Sequence, residues 1–160
     1  MIFGRRRFDP QPTAPVAVLL ASSGGPFTSQ AVRRARALAH GEPVAVLTIL
    51  RVYGSQFGLP SPGLLPTRRE REAQLKIVNR AVAALERADI DVDGQVAITR
   101  SAARTIARVA TKRGARVVVM DDSPSVGWRR RVEGDLVTIV RRRLPAGVTL
   151  EIVPAAAQQM

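Results

Sequence analysis

The chain contains no cysteine, so disulfide staples, thiolate zinc sites and thiol nucleophiles are all excluded. It has a single histidine, His40, and the glycine that follows marks it as a helix-end capping or surface residue rather than a catalyst. No run of about 20 apolar residues is present, so no membrane-spanning helix is expected. The opening MIFGRRR lacks the apolar stretch of a signal peptide, and a soluble, cytoplasmic protein is the expectation. Lysine is nearly absent: Lys76 and Lys112 stand alone, so almost all of the 25 cationic side chains are arginines. With only 13 carboxylates against them the formal charge is +12, a field that favours an anionic partner such as a nucleotide, nucleic acid or an acidic surface. Simple solvation of helix faces accounts for the same arginines without any ligand.

What is present is a regular alternation. A length of 160 residues suits one domain. Residues 1–14 read as a flexible basic lead-in, 15–154 as the domain and 155–160 as a frayed tail. Pro15 to Ala21 (PVAVLLA) and Pro43 to Val52 (PVAVLTILRV) are apolar runs of the kind buried on both faces of a parallel sheet. Between them a helix is expected from Thr28, with Ala31, Val32, Ala35, Leu38 and Ala39 at helical spacing and His40-Gly41 as its stop. YGSQFGLPSPGLLP reads as an irregular loop, and Thr67 with Glu70 has the spacing of a capping box. The helix it opens is expected to bury Leu75, Val78, Val82 and Leu85. Val92 to Thr99 reads as a third strand, Ser101 to Arg113 as a helix, Arg116 to Met120 as a fourth strand, Leu136 to Leu144 as a last helix and Gly147 to Val153 as a fifth strand. The order predicts an α/β fold in one domain, a five-stranded parallel sheet flanked by four helices. Ligands on such sheets gather at the carboxyl ends of the strands, which singles out Ser22 to Thr28, Val52 to Pro66 and Asp121 to Gly134.

From about Val16 to Val153 the chain resembles the universal stress protein family. Ile106-x-x-x-Ala110, Gly114-Ala115 and Val117-Val118-Val119-Met120 match the register of that family's third helix and fourth strand. The family's nucleotide motif, G-x-x-G, nine residues, G-S/T, follows without a gap: its glycines fall on Asp121, Pro124 and Gly134, and its final hydroxyl residue on Asp135. Gly127 also occupies a position where a glycine is common, and Arg100 stands where a glycine usually precedes the third helix. The resemblance implies a Rossmann-like sheet of the adenine nucleotide alpha hydrolase-like kind, a homodimer paired through the C-terminal strand, and ATP or AMP as the ligand class. It places the first-strand acidic position on Ser22 or Ser23 and the second-strand valine on Val52.

Against that motif, Pro124 removes a backbone N–H and Asp121 and Asp135 bring carboxylates to where phosphates would sit, so a degenerate site with weak or no ATP binding is expected. Arg129, Arg130 and Arg131 offer guanidinium groups that pair with phosphate and would favour the opposite outcome. Gly24-Gly25 has the chemistry of an ordinary turn and also of a small-anion cradle. Asp89, Asp91 and Asp93 alternate like the start of a calcium loop, but Arg100 stands where the closing Glu is required. Trp128 beside the arginines admits a nucleic-acid reading, with the ring stacked on a base, and equally a packing role. No catalytic constellation or metal-ligand set emerges, and a regulatory binding module rather than an enzyme is expected.

Overall fold

The computed structural model describes residues 12–52, 66–122 and 136–154. The elements alternate as β1 (Val18–Ser22), α1 (Ser29–Ala39), β2 (Val44–Arg51), α2 (Arg68–Glu86), β3 (Val92–Thr99), α3 (Ala102–Arg113), β4 (Val117–Asp122), α4 (Leu136–Arg143) and β5 (Thr149–Pro154). All five strands are parallel, in the order β3-β2-β1-β4-β5, confirming the expected α/β architecture. The chain therefore winds one way from β1 to β3 and returns to the other side of β1 with β4. The direction reverses between β1 and β4, the place where sheets of this kind leave a crevice at the carboxyl ends.

Strand alternation divides the core between two faces. Val18 and Leu20 of β1, Val44 and Val46 of β2 and Val119 of β4 pack with Ala31 and Ala35 of α1 and Val78 and Leu85 of α2. Leu19, Ala21, Leu47, Ile49, Val118 and Met120 point the other way, toward Ile106 and Ala110 of α3 and Val140 of α4. The alanines on α1 and α3 let both helices sit close to the sheet.

Local chemistry sets the helix ends. Thr67 and Glu70 form the expected capping box, the Thr67 hydroxyl accepting from the Glu70 N–H at 3.2 Å and the Glu70 carboxylate from the Thr67 N–H at 2.6 Å. Ser101 caps α3, and α1 and α3 stop at left-handed residues, His40 (φ 50°) and Gly114 (φ 66°). His40 thus lies at the amino ends of the strands, away from the crevice.

The apolar stripe of α2 differs from the sequence expectation. The inward positions are Gln74, Val78, Ala81, Val82 and Leu85, while Leu75 is 38% exposed. Leu75 lies about 100° around the helix from Gln74, and the inward place goes to the amide because a carbonyl has to be met there, as described below. Further along, α2 presses directly on β3 at Gly94.

At the opposite end of the sheet Arg113, 2% exposed, closes three segments together. Its Nε donates to the Ala14 carbonyl at 2.6 Å and its two terminal nitrogens donate to the Asp93 carboxylate. The bidentate pairing satisfies a guanidinium that would be costly to bury alone.

Gly94 gives a direct test of the α2–β3 contact. An added Cβ would collide with the Val78 side chain and stand 3.0 Å from Val82 Cγ2. Gly94→Ala is expected to destabilise the fold by about 1–3 kcal/mol in urea unfolding, and Val78→Ala in the same chain to recover part of that loss.

Candidate functional site

The crevice is built from the carboxyl ends of β1, β2 and β4 and the first turn of α1. Ala21 pairs with Met120 and Ser22 with Thr48, so Ser22 and Asp121 follow one another across the switch point. Asp121 is a strand residue: β4 runs past Met120, and Asp121 pairs with Val153 of β5. Alternation from Val117 and Val119 directs its side chain to the face that α1 covers.

There the Asp121 carboxylate meets the start of α1. Its Oδ2 accepts from the Thr28 N–H at 3.0 Å and its Oδ1 from the Thr28 hydroxyl at 2.6 Å. The same hydroxyl caps α1 by accepting from the Ala31 N–H at 3.1 Å. A helix N-terminus carries unpaired N–H groups and a positive dipole end, and an anion placed there is stabilising. The anion in this protein comes from its own chain, 93 residues away.

The β1–α1 turn is closed on itself in the same way. The Ser22 hydroxyl donates to the Gly25 carbonyl at 2.6 Å and accepts from the Gly24 N–H at 3.3 Å. Gly24 has φ +121°, and a Cβ there would stand 3.2 Å from the Ile49 carbonyl oxygen. A side chain there would be strained by the backbone and tight against that oxygen. Its carbonyl accepts from Gln74 Nε2 at 2.9 Å, the reason the amide holds an inward position on α2. Beneath the turn two buried polar atoms have no hydrogen-bond partner among the described residues, Thr48 Oγ1 and Gln74 Oε1.

Val52 follows β2 and is half-buried, its N–H donating to the Thr99 carbonyl at 3.0 Å. Thr99, Ser101 and Thr105 join by hydroxyl bonds at the start of α3, Thr105 Oγ1 to Thr99 Oγ1 at 2.9 Å. Arg100 lies exposed between them.

Of the residues picked out by sequence, the structure brings Ser22, Gly24 and Asp121 to the two walls of the crevice, with Ser23 exposed in the turn and Val52 beyond the end of β2. Pro124, Gly127, Trp128, Arg129, Arg130, Arg131, Gly134 and Asp135 lie outside the described residues. Sequence reading took Thr28 as a helix start but did not find its bond to Asp121, nor the role of Gln74. Its one clue was the Thr at the head of an amphipathic helix. Among the described residues no group of three or more His, Asp or Glu could hold a metal ion, and no helix is long and apolar enough to cross a membrane.

Two cationic surfaces lie on the helices. Arg104, Arg108 and Lys112 recur every fourth residue along α3 and, with Arg143 of α4, line an open trough of about 570 Å³. A smaller cavity, about 320 Å³, opens between α1 and α2.

An open parallel sheet whose order reverses between β1 and β4 defines a doubly wound α/β protein. The chain belongs to the universal stress protein family, whose model matches residues 17–150. A universal stress family protein from Burkholderia pseudomallei superposes with a TM-score of 0.62 at 19% identity, over 87% of this chain and 96% of that one. A universal stress protein in complex with cAMP superposes with a TM-score of 0.54 at 21% identity, over 89% and 99% of the two chains. One from Archaeoglobus fulgidus in complex with dAMP gives 0.57 at 13% identity, over 86% and 95%. No curated protein matches the chain.

Proposed function

We propose that this universal stress protein is a regulatory module that works through binding rather than turnover, with an adenine-nucleotide crevice that has lost its grip on polyphosphates. The observation that carries the reading is the Asp121 carboxylate on Thr28. It uses donors at the start of α1 that an anion entering the crevice would need, and it adds a negative charge beside them. Two unit charges ~4 Å apart at an effective dielectric of 20 repel by about 4 kcal/mol, roughly a thousandfold in affinity. The turn that precedes α1 offers little in exchange, because the Gly24 N–H is already bonded to Ser22.

The complexes of related proteins with cAMP and dAMP support an adenosine monophosphate as the best remaining ligand class. A single phosphate carries less charge toward Asp121 than a triphosphate does. Pro124 and Asp135 in the motif positions act in the same direction, one by removing an N–H and the other by adding a carboxylate.

The assembly that goes with this reading is a homodimer through β5. That strand is at the edge of the sheet, hydrogen-bonded on one side to β4, and an unpaired edge is a ready template for a second strand.

Calorimetric titration of the full chain is expected to give no saturable ATP binding below ~1 mM, with AMP or cAMP binding more tightly than ATP. Asp121→Asn, which keeps an acceptor for Thr28 and removes the charge, is expected to strengthen ATP binding by at least ~10-fold. Wild-type ATP binding near ~1 µM, unchanged in the variant, contradicts the reading. Sedimentation equilibrium tests the assembly: twice the monomer mass is expected, and a monomer at all concentrations contradicts it.

A further inference from the structure

Four arginines among the described residues pair with a carboxylate. Arg34 pairs with Glu151, Arg68 with Glu72, Arg113 with Asp93 and Arg116 with Glu42. The cavity between α1 and α2 is different. Arg33 and Arg36 edge it from α1, and Arg80 and Arg87 from α2. Among the described residues no acidic side chain lines it, and none of these four guanidinium groups has an ion-pair partner.

The spacing explains how they converge. Arg33 and Arg36 are three apart on α1, and Arg80 and Arg87 are seven apart on α2, so each pair lies on one side of its helix. Between the two rims the floor is apolar: Val32 of α1 faces Ile77, Ala81 and Ala84 of α2, with buried Leu85 beneath. The alanines keep the floor open, since a larger side chain at either place would fill the gap. Four exposed like charges around an apolar bed favour an anion there over a cation.

We propose that this groove is a ligand site for a small amphiphilic anion, an apolar chain or ring that ends in a carboxylate or phosphate. Charge complementarity selects the head group, and guanidinium pairs with either of those in a two-point geometry. The floor selects the tail. A volume of about 320 Å³ is at the small end of ligand pockets, which fits one short-chain molecule rather than a packed helix. The groove is lined by α1 and α2 together with Pro26 and Phe27 of the turn before α1, and neither Thr28 nor Asp121 lines it, so its test does not depend on the nucleotide reading.

The test is calorimetric titration of the full chain with decanoate and decyl phosphate below their micellar concentrations. Decanol, decylammonium, acetate and inorganic phosphate serve as comparisons. Saturable binding of the two decyl anions at least ~10-fold tighter than any comparison is expected. Arg33→Glu with Arg80→Glu, and separately Ala84→Trp, should each weaken it at least ~10-fold, while Arg104→Glu with Arg108→Glu on the far face leaves it unchanged. Thermal melting monitored by circular dichroism confirms that each variant is folded. Equal binding of decanol or decylammonium, an equal loss on the far-face variant, or no binding of the decyl anions overturns the proposal. A Glu-rich amphipathic peptide that binds through the four arginines while the decyl anions do not would assign the groove to a protein partner and overturn it as well.

Discussion

A parallel sheet that reverses direction between β1 and β4 leaves a gap at the carboxyl ends, and the first turn of α1 points its unpaired N–H groups at that gap. A cap side chain, water or an anion has to answer them. Here the answer is the Asp121 carboxylate, which takes both the N–H and the hydroxyl of Thr28. Charge-assisted hydrogen bonds of this kind contribute about 1.5–3 kcal/mol each. The contact fixes the tip of β4 to the helix that follows β1 and places a carboxylate beside the start of that helix. The crevice side of the account follows from that single placement.

Around it the structure spends its few polar side chains on closing turns. Ser22 bonds within its own turn, Gln74 reaches from α2 to the Gly24 carbonyl, and Thr99 gathers Ser101 and Thr105. At the other end of the sheet Arg113 does similar work, with Asp93 and the Ala14 carbonyl as its partners. Among the described residues two groups of arginines stand out. Some cations are structural members held by carboxylates; others edge the α1–α2 groove and the α3–α4 trough without acids among their linings.

The architecture was legible because periodicity and capping are local. Val92–Thr99 has the bounds read from sequence, and the Thr67–Glu70 box opens α2 as its spacing required. Where sequence reading fell short, the cause was a partner distant in the chain. Met120 looked like the end of β4 because the apolar run stops there, yet main-chain pairing with β5 continues through Asp121 and Asp122, and a ladder does not require apolar side chains. Leu75 looked inward by spacing alone, and the carbonyl that gives the place to Gln74 belongs to a turn 50 residues earlier. The site was half legible for the same reason. The unusual acid at position 121 was visible against the family motif, but nothing near it in sequence names Thr28.

A double-mutant cycle on Thr28 and Asp121 measures that interaction most directly. Urea unfolding of Thr28→Val, Asp121→Ala and the double variant is predicted to give a coupling free energy of about 1–3 kcal/mol. Single effects that simply add, with coupling near zero, would mean that the carboxylate and the helix start do not depend on each other, and the account of the crevice would be wrong.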